Sequence, residues 1–481
     1  MNIEKIIKNL ENLAKPKAIA YTGGMTTEIG PIYQIFLRNF THEGTFTAAV
    51  PRLAGIAAMG FSHICLTPVH PIGKAARKGN LGSPYAISDY RAIDPALGTI
   101  EDFKAFLDAA HSLGLKVMMD VVYNHTSPDS ALAKEHPDWF LGGAEPMTEA
   151  VAAAPGNAFN PRGRVARKCA DWSDVIDLDY GSSPQLWMEL MSILVLWREM
   201  GVDGFRCDVA SLVPVDFWKQ ARQRVNQYDP GTRKDKYPLL WLAESVHPKF
   251  LKQIRDSGFG AWSEPELHSV FDLSYDYDGW ERMEEVWAGW RPARDYFEYL
   301  YIQETLYPRG ARKLRFLENH DQPRSAARFT TPEALRAWTA LSHFIPGRAF
   351  VYMGQELGIR HKPELFEKDP VDWSSGDLEF SGFFAASLAA CEEAKREAPF
   401  FSWREIAEDV FLCERAASAT ASVPKYAALV ALGSPKAGDG SGRPIRLEKP
   451  LKGMDFLSRK PVELVDGMPL PKNPIILKII A

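Results

Sequence analysis

From residue 31 onward, short apolar runs alternate with amphipathic stretches, and the alternation recurs eight times. The apolar runs lie at 32–37, 62–67, 115–122, 201–210, 239–243, 270–275, 313–317 and 348–352. Between them, the spacing predicts helices over 46–59, stopped by Gly60, and over 101–112, with Thr99 as N-cap. A third helix is predicted over 184–200, where Leu186, Leu190, Leu194 and Trp197 share a face. Nearly continuous apolar strands separated by helices imply a parallel sheet covered on its outer face. Eight such units in one chain point to a (β/α)8 TIM barrel. A doubly wound open sheet is the alternative, but no glycine-rich phosphate fingerprint follows the first strand.

The alternation lapses twice. After His125 there is little periodicity until about residue 180, which reads as an inserted domain. Past residue 400 short β-like runs appear at 426–432, 454–458, 462–465 and 475–480. A flexible turn, Gly438-Asp439-Gly440-Ser441-Gly442, lies among them. Ahead of the barrel, Ile3, Ile6, Ile7, Leu10 and Leu13 recur at helical spacing. The expected organisation is therefore α/β. Residues 1–125 hold an N-terminal helix and the first part of the barrel, 126–180 the inserted domain, 181–400 the rest of the barrel, and 401–481 a C-terminal β-sandwich.

Composition narrows the class of function. A net charge of −5 with no long basic run argues against nucleic acid as a partner. Five cysteines without CxxC spacing exclude a disulfide framework or a zinc site built on that motif. The first residues hold no apolar signal core, and no run is of membrane length, so a cytoplasmic protein with no membrane partner is expected. Thirteen tryptophans suit either a cleft that stacks flat sugar faces or a large core.

In such a barrel the site lies at the C-terminal ends of the strands. Strand three ends in Asp120-Val121-Val122-Tyr123-Asn124-His125 and strand four in Arg206 and Asp208. Strand five ends in Glu244, and strand seven in Glu318-Asn319-His320-Asp321. Arg206 and Asp208 are two residues apart on a strand, so they face the same way, about 7 Å apart along the backbone. The arginine favours the ionised form of Asp208, whereas Glu244 follows an apolar strand whose desolvation raises its pKa. One ionised and one proton-bearing carboxyl suit glycoside hydrolysis, with Asp208 as nucleophile and Glu244 as acid/base. A metal-dependent hydrolase would want histidines at ligand spacing, and His125 and His320 sit alone on separate strands.

These residues resemble glycoside hydrolase family 13, the α-amylase family. Its four signature regions resemble Asp120–His125, Gly204–Asp208, Glu244 after its apolar strand, and Asn319-His320-Asp321. A fifth resembles Asp177-Leu178-Asp179-Tyr180, and the loop 82–90 resembles the family's loop after strand two. The resemblance, over roughly residues 30 to 400, implies that Asp208 is the nucleophile and Glu244 the general acid/base. It implies that Asp321 is the third carboxylate, holding sugar hydroxyls and stabilising the transition state. Arg206 would orient the nucleophile. His125 and His320 would bind hydroxyls of the sugar at the cleaved bond, and Tyr85 would stack under that sugar. The run ending in Arg324 is similar to that of oligosaccharide-acting α-glucosidases, so Arg324 joins the expected substrate-binding residues. Val209 occurs in members that cleave α-1,6 bonds.

The chain also departs from the family. Ser211 and Leu212 stand where many members carry a Lys-His pair that helps bind calcium and the leaving side of the glucan. Asn124 and Asp177 match two calcium-ligand positions, but without the histidine partner their expected role is a hydrogen bond between strand three and the inserted domain. No cofactor is required, and a structural calcium is the one metal the resemblance would allow. The resemblance implies a retaining glycosidase acting on an oligosaccharide or α-glucan. The alternatives are a transglycosylase using the same site with a sugar or phosphate acceptor, and a catalytically silent binding member.

Overall fold

The computed structural model describes residues 29–141, 172–227, 239–433 and 444–480. The expected N-terminal helix, the glycine-rich turn at 438–442 and much of the inserted segment lie outside these residues.

Eight strands close into a parallel barrel: β1 (Ile32–Ile35), β2 (His63–Leu66), β3 (Lys116–Val121), β4 (Gly204–Cys207), β5 (Leu240–Ala243), β6 (Leu273–Tyr275), β7 (Lys313–Arg315) and β8 (Arg348–Tyr352). Each pairs with its sequence neighbours, and β8 pairs with β1 to complete the ring. The helices that cover it include α1 (Ile100–Ser112), α2 (Pro184–Met200), α3 (Val215–Gln227), α4 (Pro248–Asp256), α5 (Tyr277–Trp287), α6 (Arg294–Leu306), α7 (Pro332–Phe344) and α8 (Leu378–Glu397). The TIM barrel read from the alternation is the observed fold.

Local chemistry accounts for the element ends. Thr99 and Asp102 form a reciprocal capping box that starts α1. Ser183 caps α2, with Pro184 at its first position, and Gly201 at φ +111° ends it in the left-handed conformation that suits glycine. The predicted helix over 46–59 is broken into Phe46–Ala49, a 3-10 turn at Val50–Arg52 and Leu53–Ala58. Pro51 sits in that turn and lacks the N–H an α-helix would use. Trp197, Trp218, Trp241, Trp280 and Trp338 are fully buried, so much of the tryptophan content fills the core.

Six strands follow the barrel: β9 (Phe400–Ala407), β10 (Val410–Ala416), β11 (Tyr426–Ala431), β12 (Leu451–Asp455), β13 (Lys460–Leu464) and β14 (Ile475–Ile479). They form one antiparallel sheet in the order β9-β10-β11-β14-β12-β13. The C-terminal region is thus all-β as expected, but among the described residues it is a single sheet and not two stacked ones. The second layer comes from elsewhere. Phe411, Cys413, Tyr426, Ala428 and Val430 pack into the barrel's own core, where Phe411 stacks on Phe297 at 4.2 Å. Leu412, Leu429 and Leu477 point the other way and are covered by Ile445, Leu447 and Leu470. Arg415 locks the junction by donating to the Phe344 carbonyl from Nε at 2.9 Å and Nη2 at 2.6 Å. Among the described residues no helix is long and apolar enough to cross a membrane.

Candidate active site

The barrel register brings the charged strand ends together. Asp120 is opposite Arg206 on the β3–β4 pair, and Arg206 is opposite Leu242 on the β4–β5 pair. The ladder continues one step past the strands: Asp208 N–H donates to the Val121 carbonyl and Glu244 N–H to the Cys207 carbonyl, each at 3.0 Å. Asp208 and Glu244 therefore emerge side by side at the C-terminal rim.

Arg206 is the hub. Its Nη1 donates to Asp120 and to Asp208 Oδ1, each at 2.8 Å, and its Nη2 lies 2.6 Å from Glu244 Oε1. The sequence reading paired it with Asp208 alone; the structure shares it among three carboxyls. Its guanidinium also packs over the rings of Tyr85 and Tyr275, at 5.6 and 5.5 Å. Glu244 Oε2 accepts the Val209 N–H at 2.9 Å. Val209 reaches that position with φ at +35°, a left-handed conformation that a β-branched residue adopts only under constraint.

The charge balance decides protonation. Three buried carboxyls face one buried guanidinium, so full ionisation would leave excess negative charge in a dry site. Burial pushes Glu244 up to about 8, aided by the charges of Asp208 and Asp321. Burial raises Asp208 and Asp120 to about 7, and in each case Arg206 holds the rise back. The sequence reading had Arg206 keep Asp208 low; in the structure, desolvation outweighs it. The ordering survives: Glu244 keeps its proton to a higher pH than Asp208. Burial leaves the pair a proton to share, and Glu244 is its better holder.

Around this core stand the other residues. Tyr85 OH donates to Asp120 Oδ2 at 3.0 Å and accepts from His320 Nε2 at 2.6 Å, with the two rings stacked 5.3 Å apart. Gln34 Nε2 lies 3.0 Å from His320 Nδ1, which makes Nδ1 the acceptor and puts the ring proton on Nε2. Burial lowers His320 to about 4, so the ring is neutral at pH 7. Its Nε2 is 3.2 Å from Asp321 Oδ2, whose side chain is 44% exposed and is the open carboxylate of the cleft. His125 Nε2 stands 3.9 Å from Asp208 Oδ2, and Trp172 packs near the His125 ring at 5.3 Å. Thus Asp208, Glu244, Arg206, Tyr85, His125, His320 and Asp321 converge on one rim.

Arg324 does not join them. It is buried, donates to Glu318 Oε1 at 2.7 Å and to the carbonyls of Met353 and His361, and lies over the Tyr352 ring at 4.7 Å. The loop after β7 turns inward here, because the buried Glu318 carboxylate needs a charged partner. Ser211 and Leu212, where the chain departs from the family, are also turned to packing. Leu212 joins Val209, Ile254 and Ala261 in a small apolar cluster, and the Ser211 carbonyl accepts the Trp262 N–H at 2.8 Å.

Asn124 Nδ2 donates to Asp177 Oδ1 at 3.1 Å, linking the end of β3 to the inserted segment. Asn124 Oδ1 is left as a buried acceptor without a hydrogen-bond donor among the described residues. Among the described residues no group of three His, Cys, Asp or Glu side chains is placed to hold a metal.

Two participants had no role in the sequence reading. Asp120 stood in a quoted motif, and Gln34 is the one polar residue in an otherwise apolar β1. A polar side chain inside a fully buried strand is the signal that marks both.

Comparison with known proteins bears on the family and the fold. Residues 24–397 match the family model described as alpha amylase, catalytic domain. An α-amylase of known structure from Lactobacillus plantarum is 34% identical, with 93% of this chain and 98% of that one aligned at a TM-score of 0.78. A maltogenic α-amylase from Thermotoga neapolitana is 29% identical over 95% of this chain and all of the other, with a TM-score of 0.73. Among curated proteins, the alpha-1,4-glucan:maltose-1-phosphate maltosyltransferase of Myxococcus xanthus is 29% identical over 401 residues. That match takes in 76% of this chain and 53% of the relative, so the chain spans about half the length of that protein.

Proposed function

The chain belongs to the alpha-amylase catalytic-domain family, and on that premise we propose that it is a retaining glycosidase that cleaves α-glucosidic bonds in maltodextrin-like substrates. The observation that carries this reading is the fork of Arg206 on Asp208 and Glu244. One guanidinium spanning both carboxyls fits the separation of about 5 Å found in retaining enzymes. An inverting enzyme would need a wider gap, of about 6.5–9.5 Å, to seat a water between carboxylate and sugar.

In the first step Asp208 attacks the anomeric carbon as the glycosidic bond breaks, and Glu244 gives its proton to the departing oxygen. A glycosyl ester on Asp208 results. In the second step the Glu244 carboxylate takes a proton from water, the water oxygen attacks the anomeric carbon, and Asp208 leaves as carboxylate. Arg206 aims Asp208 through Oδ1 and leaves Oδ2 for the attack. Neutral His320 and exposed Asp321 can hold hydroxyls of the bound sugar, and His125 stands beside the attacking oxygen.

A second reading is transfer to a sugar or phosphate acceptor in place of water. It is supported by the curated relatives, which are named maltosyltransferases. Hydrolysis is preferred because the similarity to the Lactobacillus plantarum α-amylase runs over nearly the full length of both chains. The test is a product time course on a defined maltooligosaccharide, with and without inorganic phosphate, with the anomer followed by NMR. Shorter α-anomeric products that are indifferent to phosphate are expected. Products longer than the substrate, or a sugar 1-phosphate, would establish transfer, and β-anomers would refute retention.

A further inference from the structure

Behind Glu244, on the outer side of the barrel wall, lies a second buried charged cluster. Lys313 and Arg315 occupy alternate positions of β7 and point away from Leu314, which faces the core. Lys313 is ion-paired with Glu264, lies 2.8 Å from Asp278 Oδ1 and donates to the Tyr275 carbonyl at 3.1 Å. Arg315 is ion-paired with Asp276, whose carboxylate also accepts from Gln303 Nε2 at 2.7 Å. Glu264, Asp276, Asp278, Lys313, Arg315 and Gln303 are all buried. Five buried ionisable side chains are costly to desolvate, and packing alone does not call for them.

One branch of this cluster ends beside the acid/base. Ser245 follows Glu244, is buried, and donates from Oγ to Glu264 Oε1 at 2.6 Å. This is a short, charge-assisted bond. β5 stops at Ala243, so Ser245 lies past the strand and its side chain supplies a tie at that point. Glu264 itself is rigidly held. It opens the one-turn helix Glu264–Leu267, which begins with a Ser263/Glu266 capping box. Its Oε2 also accepts from Ser274 Oγ at 3.2 Å and lies 3.1 Å from Tyr307 OH.

We infer that Ser245 and Glu264 are positioning residues for Glu244: the Ser245–Glu264 hydrogen bond, braced by Lys313, fixes the backbone after β5 so that the Glu244 carboxyl stays on Val209 N–H and Arg206 Nη2. The inference rests on the reading of Glu244 as acid/base. Neither residue touches substrate; each acts through the aim of Glu244.

The test is Ser245→Ala, assayed with a maltooligosaccharide and with α-maltosyl fluoride. The sugar leaving group of the first needs the acid's proton, whereas fluoride leaves with little help. A misaimed acid should lower kcat/KM on the oligosaccharide by about 10- to 100-fold, whereas kcat/KM on the fluoride, which reports only the step that forms the glycosyl ester, should fall by less than about threefold. Tyr307→Phe loosens Glu264 from its other side and should give a smaller effect of the same pattern. Equal losses on both substrates, or no loss on either, would overturn the inference. If the wild-type protein turned over neither substrate, the glycosidase reading would fall on its own. The crystal structure of Ser245→Ala would then decide the positioning claim. The 2.9 Å contact from Val209 N to Glu244 Oε2 should open in that variant, and an unchanged contact would overturn the claim.

Discussion

Glu244→Gln should make the folded protein more stable, and more so at pH 8 than at pH 5. The carboxyl of Glu244 rises from an ordinary 4.5 to about 8 through burial and the charges of Asp208 and Asp321. Between those two pH values the unfolded chain has released the proton while the folded chain still holds it. The folded state then binds more protons than the unfolded one, so its stability falls as pH rises through that window. Each unit is worth about 1.4 kcal/mol, which puts the ceiling near 5 kcal/mol at pH 8. The proton is shared with Asp208 and Asp120, so part of the penalty passes to them when Glu244 is neutralised; about half the ceiling, roughly 2–3 kcal/mol, is the expected gain. Glutamine has nearly the shape of the protonated acid and can still meet Arg206 through its carbonyl oxygen, while its NH2 no longer accepts the Val209 N–H, a loss of about 1 kcal/mol that is the same at both pH values. The assay is denaturant or thermal unfolding of both proteins at pH 5 and pH 8. The variant should gain little at pH 5 and a few degrees in Tm at pH 8. An equal gain at both pH values, or a loss at pH 8, would refute the account of a desolvated acid.

Two further outcomes follow from the same geometry. kcat/KM should be bell-shaped with pH, because turnover needs Asp208 ionised and Glu244 protonated. The limbs should fall near 7 and 8, and an acid limb near 4 would show that Asp208 is not desolvated. Arg324→Met should destabilise the fold by about 3–5 kcal/mol, since it strands the buried Glu318 carboxylate, while leaving KM near that of the wild type in whatever protein folds. A raised KM at unchanged stability would restore Arg324 to the substrate site.

The fold was legible because period and punctuation agreed. Eight apolar runs, Gly60 and Thr99 each act within one turn or strand, and such local signals survive into the structure. The site was legible because a barrel places every strand end on one rim, so Asp208, Glu244, His320 and Asp321 could be read from position. Lateral relations were not. That Arg206 serves Asp120 and Glu244 as well as Asp208 depends on the register of three strands. That Arg324 turns inward depends on Glu318, six residues earlier, being buried. β9 and β10 were not read as strands. β9 has charged residues on an edge, with several side chains left exposed, which blurs its alternation. β12 begins three residues before the run that marked it, because Gly453 offers no side chain to count, while Phe456 and Leu457 lie past the strand's end and pack against the core. The Ser245–Glu264 bond joins residues 19 apart, with α4 and a loop between them, and no local pattern announces it.

The central claim is that Asp208 becomes covalently glycosylated. A 5-fluoro-α-glycosyl fluoride, whose leaving group departs readily while its ring fluorine slows the second step, should trap that ester. Peptide mass spectrometry of the inactivated protein should then find one added glycosyl unit on Asp208, with Asp208→Asn left unlabelled. A label on Glu244 or Asp321, or rapid turnover of the wild type to a β-configured product with no label at all, would contradict the account.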